Sequence, residues 1–81
     1  MYAINVRKIG LSRDGKTLSL YMNGKHGDSM IPYSFNELVA VIDSTDCKRV
    51  LVKGDRTPYI GKLVGRLRRN IDNKYIYFRK I

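Results

Sequence analysis

The chain has 81 residues, of which 43% are apolar and 28% charged, with a net charge of +9 and a single cysteine. That length holds one small domain with a marginal core, and one cysteine excludes both an internal disulfide and a cysteine-built zinc site. No apolar run approaches the roughly 20 residues that span a bilayer, and the polar start MYAINVRK does not read as a secretory signal. The expectation is a single domain over residues 1–81, cytoplasmic and without membrane association.

The first element is a hairpin. Ile4 and Val6 alternate with Asn5 and Arg7, and Leu18, Leu20 and Met22 alternate with Ser19 and Tyr21. This period of two marks strands with one buried face. Between them, Ser12-Arg13-Asp14-Gly15-Lys16 supplies an Asp-Gly turn, in which glycine accepts the positive φ that tight hairpins need. A long connection runs from Asn23 to about Tyr33. A helix follows: Ser34 and Glu37 have capping-box spacing, Tyr33 and Leu38 that of a hydrophobic staple, and Phe35, Leu38, Val39 and Ile42 form the apolar stripe. Asp43-Ser44-Thr45-Asp46 ends it, because these side chains compete for helical hydrogen bonds.

Arg49 to Lys53 reads as a third strand, with Val50 and Val52 on one face and Leu51 on the other. Thr57-Pro58 is a cap followed by proline at the first helical position, and Ile60, Leu63, Val64, Leu67 and Ile71 share one arc of the helix it opens. Asp72-Asn73 turns into a last strand, Lys74 to Ile81, in which Ile76 and Phe78 alternate with Tyr75, Tyr77 and Arg79. The order β-β-α-β-α-β predicts an α+β fold with a mixed sheet. Right-handed crossovers put both helices on one face and leave the other open.

Catalytic patterns are weak. His26, the only histidine, shares one loop with Asp28 and Ser29, whereas a catalytic triad draws its three groups from separate elements. Arg56 to Leu63, RTPYIGKL, echoes a phosphate-binding loop at Gly61-Lys62, but Arg56 stands where the first glycine belongs and Leu63 where Ser or Thr belongs. Cys47, beside Lys48 and Arg49, has no histidine partner in any pattern and reads as a strand-edge cysteine. No metal-ligand spacing occurs, so the expectation is a non-enzymatic chain with no catalytic residue, metal or cofactor.

Charge is the stronger signal. Residues 1–46 hold five basic and five acidic side chains, while residues 47–81 hold eleven basic ones against Asp55 and Asp72 alone. Such a field attracts polyanions or an acidic protein surface. Lys48, Arg49, Lys53 and Arg56 line the third strand and its exit. Lys62, Arg66 and Arg69 lie opposite the core stripe of the second helix, and Lys74, Arg79 and Lys80 flank the last strand. Gly61 and Gly65 share a flank with Arg68. Two glycines in an exposed helix cost about 1 kcal/mol each against alanine, so that flank suits close approach by a phosphate backbone, a partner chain, or the neighbouring helix or strand.

On the open sheet face, Tyr75, Tyr77 and Arg79 point away from the helices, as do Arg7, Ser19 and Tyr21. Tyrosines interleaved with arginines suit single-stranded nucleic acid, because bases stack on aromatic rings while guanidinium groups meet phosphates. The alternatives are cross-strand packing and contact with a second copy in a homodimer. The expected function is therefore nucleic-acid binding, to RNA or a single strand, with specificity from Tyr21, Tyr75 and Tyr77.

This combination resembles RNA-recognition sheets in its logic, although the element order differs from that of the RRM and no aromatic-glycine RNP motif is present. In size, basic charge and lack of a catalytic set, the chain also resembles the small accessory proteins of T-even-like bacteriophages, several of which neutralise host defences. That likeness covers the whole chain without a motif and assigns no residue. It implies an alternative function, inhibition of an acidic host enzyme such as an RNase toxin, directly or through bound RNA.

Overall fold

The computed structural model describes residues 3–24, 27 and 29–81. Strands β1 (Ile4–Val6), β2 (Lys8–Leu11), β3 (Thr17–Tyr21) and β4 (Ile31–Tyr33) precede helix α1 (Phe35–Asp43). Strand β5 (Arg49–Gly54), helix α2 (Pro58–Asn70) and strand β6 (Tyr75–Lys80) complete the chain. Four strands form a mixed sheet in the order β2-β3-β5-β6, with β2 antiparallel to β3 and the other neighbours parallel. The expected α+β class and the β-β-α-β-α-β frame are both present.

The structure adds a second, two-stranded sheet in which β1 pairs antiparallel with β4. Alternation alone assigns Ile4 and Val6 to the main hairpin and residues 31–33 to a connection. Instead, the chain bends at Arg7, and β2 takes the place beside β3. The apolar positions change phase there, from even-numbered Ile4 and Val6 to odd-numbered Ile9 and Leu11. A period-two strand cannot keep both sets on one face, so the bend resolves the conflict.

The β2–β3 turn closes as its sequence dictates. Gly15 adopts φ +71°, Ser12 Oγ donates to Asp14 Oδ1, and the Lys16 N–H reaches the same oxygen at 3.0 Å. These bonds stabilise the charged form, so the Asp14 carboxyl lies below its ordinary value, with the Ser12 hydroxyl the larger cause. At α1, Ser34 Oγ accepts the Glu37 N–H at 3.1 Å and Glu37 Oε1 accepts the Ser34 N–H at 2.8 Å. This is the expected capping box, and the Ser34 N–H draws the Glu37 carboxyl below its ordinary value. Thr57 caps α2 by accepting the Ile60 N–H at 3.2 Å, and Pro58 follows at the first helical position.

Both parallel crossovers, β3 to β5 and β5 to β6, step the same way across the sheet, which places α1 and α2 on one face. Leu38 and Ile42 of α1 and Ile60, Leu63, Val64 and Leu67 of α2 share one core cluster with Leu18, Leu20, Val50, Val52 and Ile76. Ile4 and Val6 of β1 join that cluster, so the small sheet also packs on the helix side. Gly54 is fixed by close approach: a Cβ there would lie 3.1 Å from Asn23 Oδ1 and 3.3 Å from Met22 Cβ. Among the described residues, no helix is long and apolar enough to cross a membrane.

Candidate functional site

The strand register fixes which side chains share the face away from the helices. Three rows cross it: Thr17, Arg49 and Tyr75; then Gly10, Ser19, Leu51 and Tyr77; then Lys8, Tyr21, Lys53 and Arg79. Neighbouring strands lie about 4.8 Å apart and successive rows about 7 Å apart, so the rows make one continuous platform. Four members are basic and none is acidic.

The aromatic groups on this platform fall into two environments. Tyr75 is 67% exposed, and its ring lies 5.2 Å from that of Tyr77 with the planes tilted by 48°. The pair occupies the outermost strand, which leaves flat aromatic surface open to solvent. Tyr21, half-buried, has three cations around its ring: Lys53 Nζ at 5.1 Å, Arg7 Cζ at 5.5 Å and Lys8 Nζ at 5.7 Å from the centroid. Lys53 Nζ also lies 3.5 Å from the Tyr21 hydroxyl. Tyr21 therefore gathers charge, while Tyr75 and Tyr77 present rings. Between the two groups lies Leu51, only 5% exposed yet outside the helix-side core. It gives the platform an apolar floor.

Six of the basic and aromatic positions singled out in the sequence meet on this face: Tyr21, Arg49, Lys53, Tyr75, Tyr77 and Arg79. The helix patch does not join them. Lys62, Arg66 and Arg69 are exposed on α2, which covers the opposite face of the sheet, so the two sets belong to separate surfaces. Arg66 is already engaged, its Cζ 3.9 Å from the centroid of the Phe35 ring of α1. Lys80, in register with Gly54, falls on the helix side of its strand. Lys48 and Arg56 are exposed at opposite ends of β5.

Two further basic residues act as tethers. Lys74 Nζ donates to the carbonyls of Thr45 at 2.8 Å and Cys47 at 2.7 Å, tying the entry of β6 to the segment between α1 and β5. Arg68 Nε donates to the Ile76 carbonyl at 2.8 Å and so occupies an acceptor of the outer strand. The glycine flank is also corrected. A Cβ at Gly61 would meet no atom within 4 Å, and one at Gly65 would meet only Arg69 Nη1, at 3.5 Å. Neither glycine serves packing against a neighbouring helix or strand.

Sequence reasoning left Lys8 out of the site and did not connect Arg7 with Lys53. The available signal was the same phase change at Arg7 that creates the bend, since it brings Lys8 into the outward row opposite Tyr21. Of the catalytic loop candidates, His26 and Asp28 lie outside the described residues, and Ser29 is exposed. Cys47 is buried, its Sγ 3.2 Å from the Gly15 carbonyl oxygen. Among the described residues, no group of three His, Cys, Asp or Glu side chains is placed to hold a metal ion. A groove of about 670 Å³ at the end of the sheet mixes Asp43, Asp46 and Asp72 with Lys48 and Lys74. It has neither aromatic surface nor one sign of charge.

The sheet face is thus a flat, acid-free surface that can hold planar rings against tyrosines and anionic groups against side-chain cations. No family model, curated protein or solved structure matches the chain.

Proposed function

We propose that this chain is a non-enzymatic binder of single-stranded nucleic acid, RNA or DNA, which it takes on the open face of its sheet. The observation that carries this reading is the register-enforced placement of the Tyr75–Tyr77 pair beside Arg49, Lys53 and Arg79 on a face with no carboxylate. Bases stack on exposed rings whatever their identity, and each stacked base contributes about 1–3 kcal/mol. Phosphates meet the neighbouring cations, and the counterions they release supply the affinity that does not depend on sequence. A duplex hides its base faces, which is why the tyrosines favour a single strand.

Fluorescence anisotropy with a short single-stranded oligonucleotide tests this directly. Log affinity should fall against log salt with a slope of about −0.7 for each phosphate neutralised. Tyr75→Ala and Tyr77→Ala should each weaken binding by about 1–3 kcal/mol without changing that slope, because no phosphate contact is lost. A flat salt dependence overturns the reading. Tyrosine variants that become monomeric and lose affinity only through avidity would assign the face to self-association. Variants unchanged in both affinity and mass would reduce the tyrosines to sheet packing.

A further inference from the structure

We infer that Arg7, Lys8 and Lys53 form a phosphate-binding subsite around Tyr21, at the carboxyl ends of β3 and β5. The inference rests on the single-strand reading and deepens it by naming where one phosphate is held. Three cations from three parts of the chain (the bend, β2 and β5) stand within 5.1 to 5.7 Å of the centre of one tyrosine ring. Arg79 stands in register with Lys53 on the next strand, and no carboxylate shares their face. Like charges brought this close repel one another, and the ring's electron-rich face offsets only part of that repulsion.

A second, independent observation concerns Arg7 itself. Its Nε is buried with no hydrogen-bond acceptor, although buried donors are almost always paired. Folded back on Tyr21, the guanidinium therefore leaves one of its own donors unused. A turn of the guanidinium off the ring uncovers Nε, and a tetrahedral oxyanion seated between Lys8 and Lys53 then supplies what is missing: acceptor oxygens for Nε and a terminal nitrogen, and negative charge for both ammonium groups. Guanidinium is the group whose fork of N–H donors matches phosphate oxygens two at a time. The phosphate could come from a nucleic-acid strand or from free inorganic phosphate, and the chemistry of capture is the same.

From this subsite to Tyr77 is two strand spacings across, roughly 10 Å, and one row along, about 7 Å. A strand anchored by one phosphate at Tyr21 can therefore lay its following bases over Leu51 toward Tyr77 and Tyr75. The anchor fixes the path of the strand without reading its sequence.

The test uses the whole chain and the side-chain N–H resonances of its arginines. Inorganic phosphate is titrated at constant ionic strength, and the Arg7 Nε–H resonance should move and saturate while those of Arg66 and Arg69 stay still. Arg7→Lys keeps the charge but removes the fork, and should weaken phosphate several-fold while leaving the spectrum of the core unchanged. The same resonance should move with a single-stranded oligonucleotide if the source is a phosphodiester, and with inorganic phosphate alone if the source is the free anion. Either pattern supports the subsite, and the second removes the single-strand reading as well when the oligonucleotide leaves the Tyr75 and Tyr77 resonances unmoved. If the oligonucleotide binds through Tyr75 and Tyr77 while the Arg7 resonance ignores both phosphate and strand, the subsite is wrong and the single-strand reading stands. Equal movement of every arginine resonance also overturns the subsite, since it reports only diffuse attraction.

Discussion

The sheet face and the outer face of α2 are both strongly basic, yet they present their charge differently. On the sheet, register sets Arg49, Lys53 and Arg79 beside Tyr75 and Tyr77, at fixed row spacing and without a carboxylate. On α2, Lys62, Arg66 and Arg69 occupy one arc, but Arg66 lies over Phe35 and the Arg69 guanidinium lies 3.5 Å from where a Gly65 side chain would begin. One face sets its cations in register beside a pair of rings open to solvent. On the other, Arg66 lies on the Phe35 ring of the neighbouring helix, and the half-exposed Tyr59 stands alone, without a second ring beside it among the described residues. Formal charge along the chain treats the two alike, and only the company each charge keeps separates a binding surface from a solvated one.

The largest difference should come from neutralising each face in turn. Replacing Arg49, Lys53 and Arg79 together by glutamine should lower the magnitude of the salt slope by about 0.7 for each phosphate contact removed, with a matching loss of affinity at physiological salt. The same treatment of Lys62, Arg66 and Arg69 should leave the slope nearly unchanged. Its main effect should be on stability, through loss of the Arg66–Phe35 contact, at about 0.5–1 kcal/mol for an exposed cation–π pair. Affinity measured over a range of salt, together with denaturant midpoints, checks both sets. Equal slopes in the two triple variants would erase the distinction between the faces.

How much of this was legible in the sequence follows from how local each signal is. The capping box at Ser34 and Glu37, the Thr57-Pro58 start and the α2 stripe depend on neighbours within a few residues, and all stand in the structure as read. The outward set Tyr75, Tyr77 and Arg79 was also readable, because alternation along one strand fixes its faces. The pairing of β1 with β4 was not, since residues 31–33 are too short a run for alternation to mark and their partner is 29 positions away in the Ile4–Tyr33 pair. The separation of the α2 patch from the sheet face was legible too, because right-handed crossovers place both helices on one side of the sheet. Lys74 and Arg68 looked like free charges because their acceptors, Thr45, Cys47 and Ile76, are backbone carbonyls that no side-chain pattern reveals.

A smaller effect sharpens the contrast from the helix side. Gly61→Ala should stabilise the fold by about 0.5–1 kcal/mol, because alanine favours the helix and its Cβ meets nothing within 4 Å. Single-strand affinity should not change. A thermal melt and one binding curve suffice, and loss of affinity with a stabilised fold would show that a partner approaches this flank of α2.

The smallest effect is set by pH. The Asp14 and Glu37 carboxyls are both held below their ordinary values by hydrogen bonds to the charged form. Their contribution to stability is therefore complete above the unfolded-state values and is lost as pH falls through the lower folded-state values. Acid should loosen the β2–β3 turn and the start of α1, and Asp14→Asn with Glu37→Gln should flatten that decline in a denaturation series. Neither basic face holds a carboxylate or a histidine among the described residues, so binding should stay level as pH falls from neutral for as long as the fold is intact.

The measurement that bears most directly on the central claim is a map of backbone and side-chain shifts on adding a short single-stranded oligonucleotide at moderate salt. The account predicts movement concentrated at Tyr75, Tyr77, Arg79, Lys53 and Leu51, with Lys62 and Arg69 of α2 left in place. Movement concentrated on α2 with a silent sheet face would contradict it.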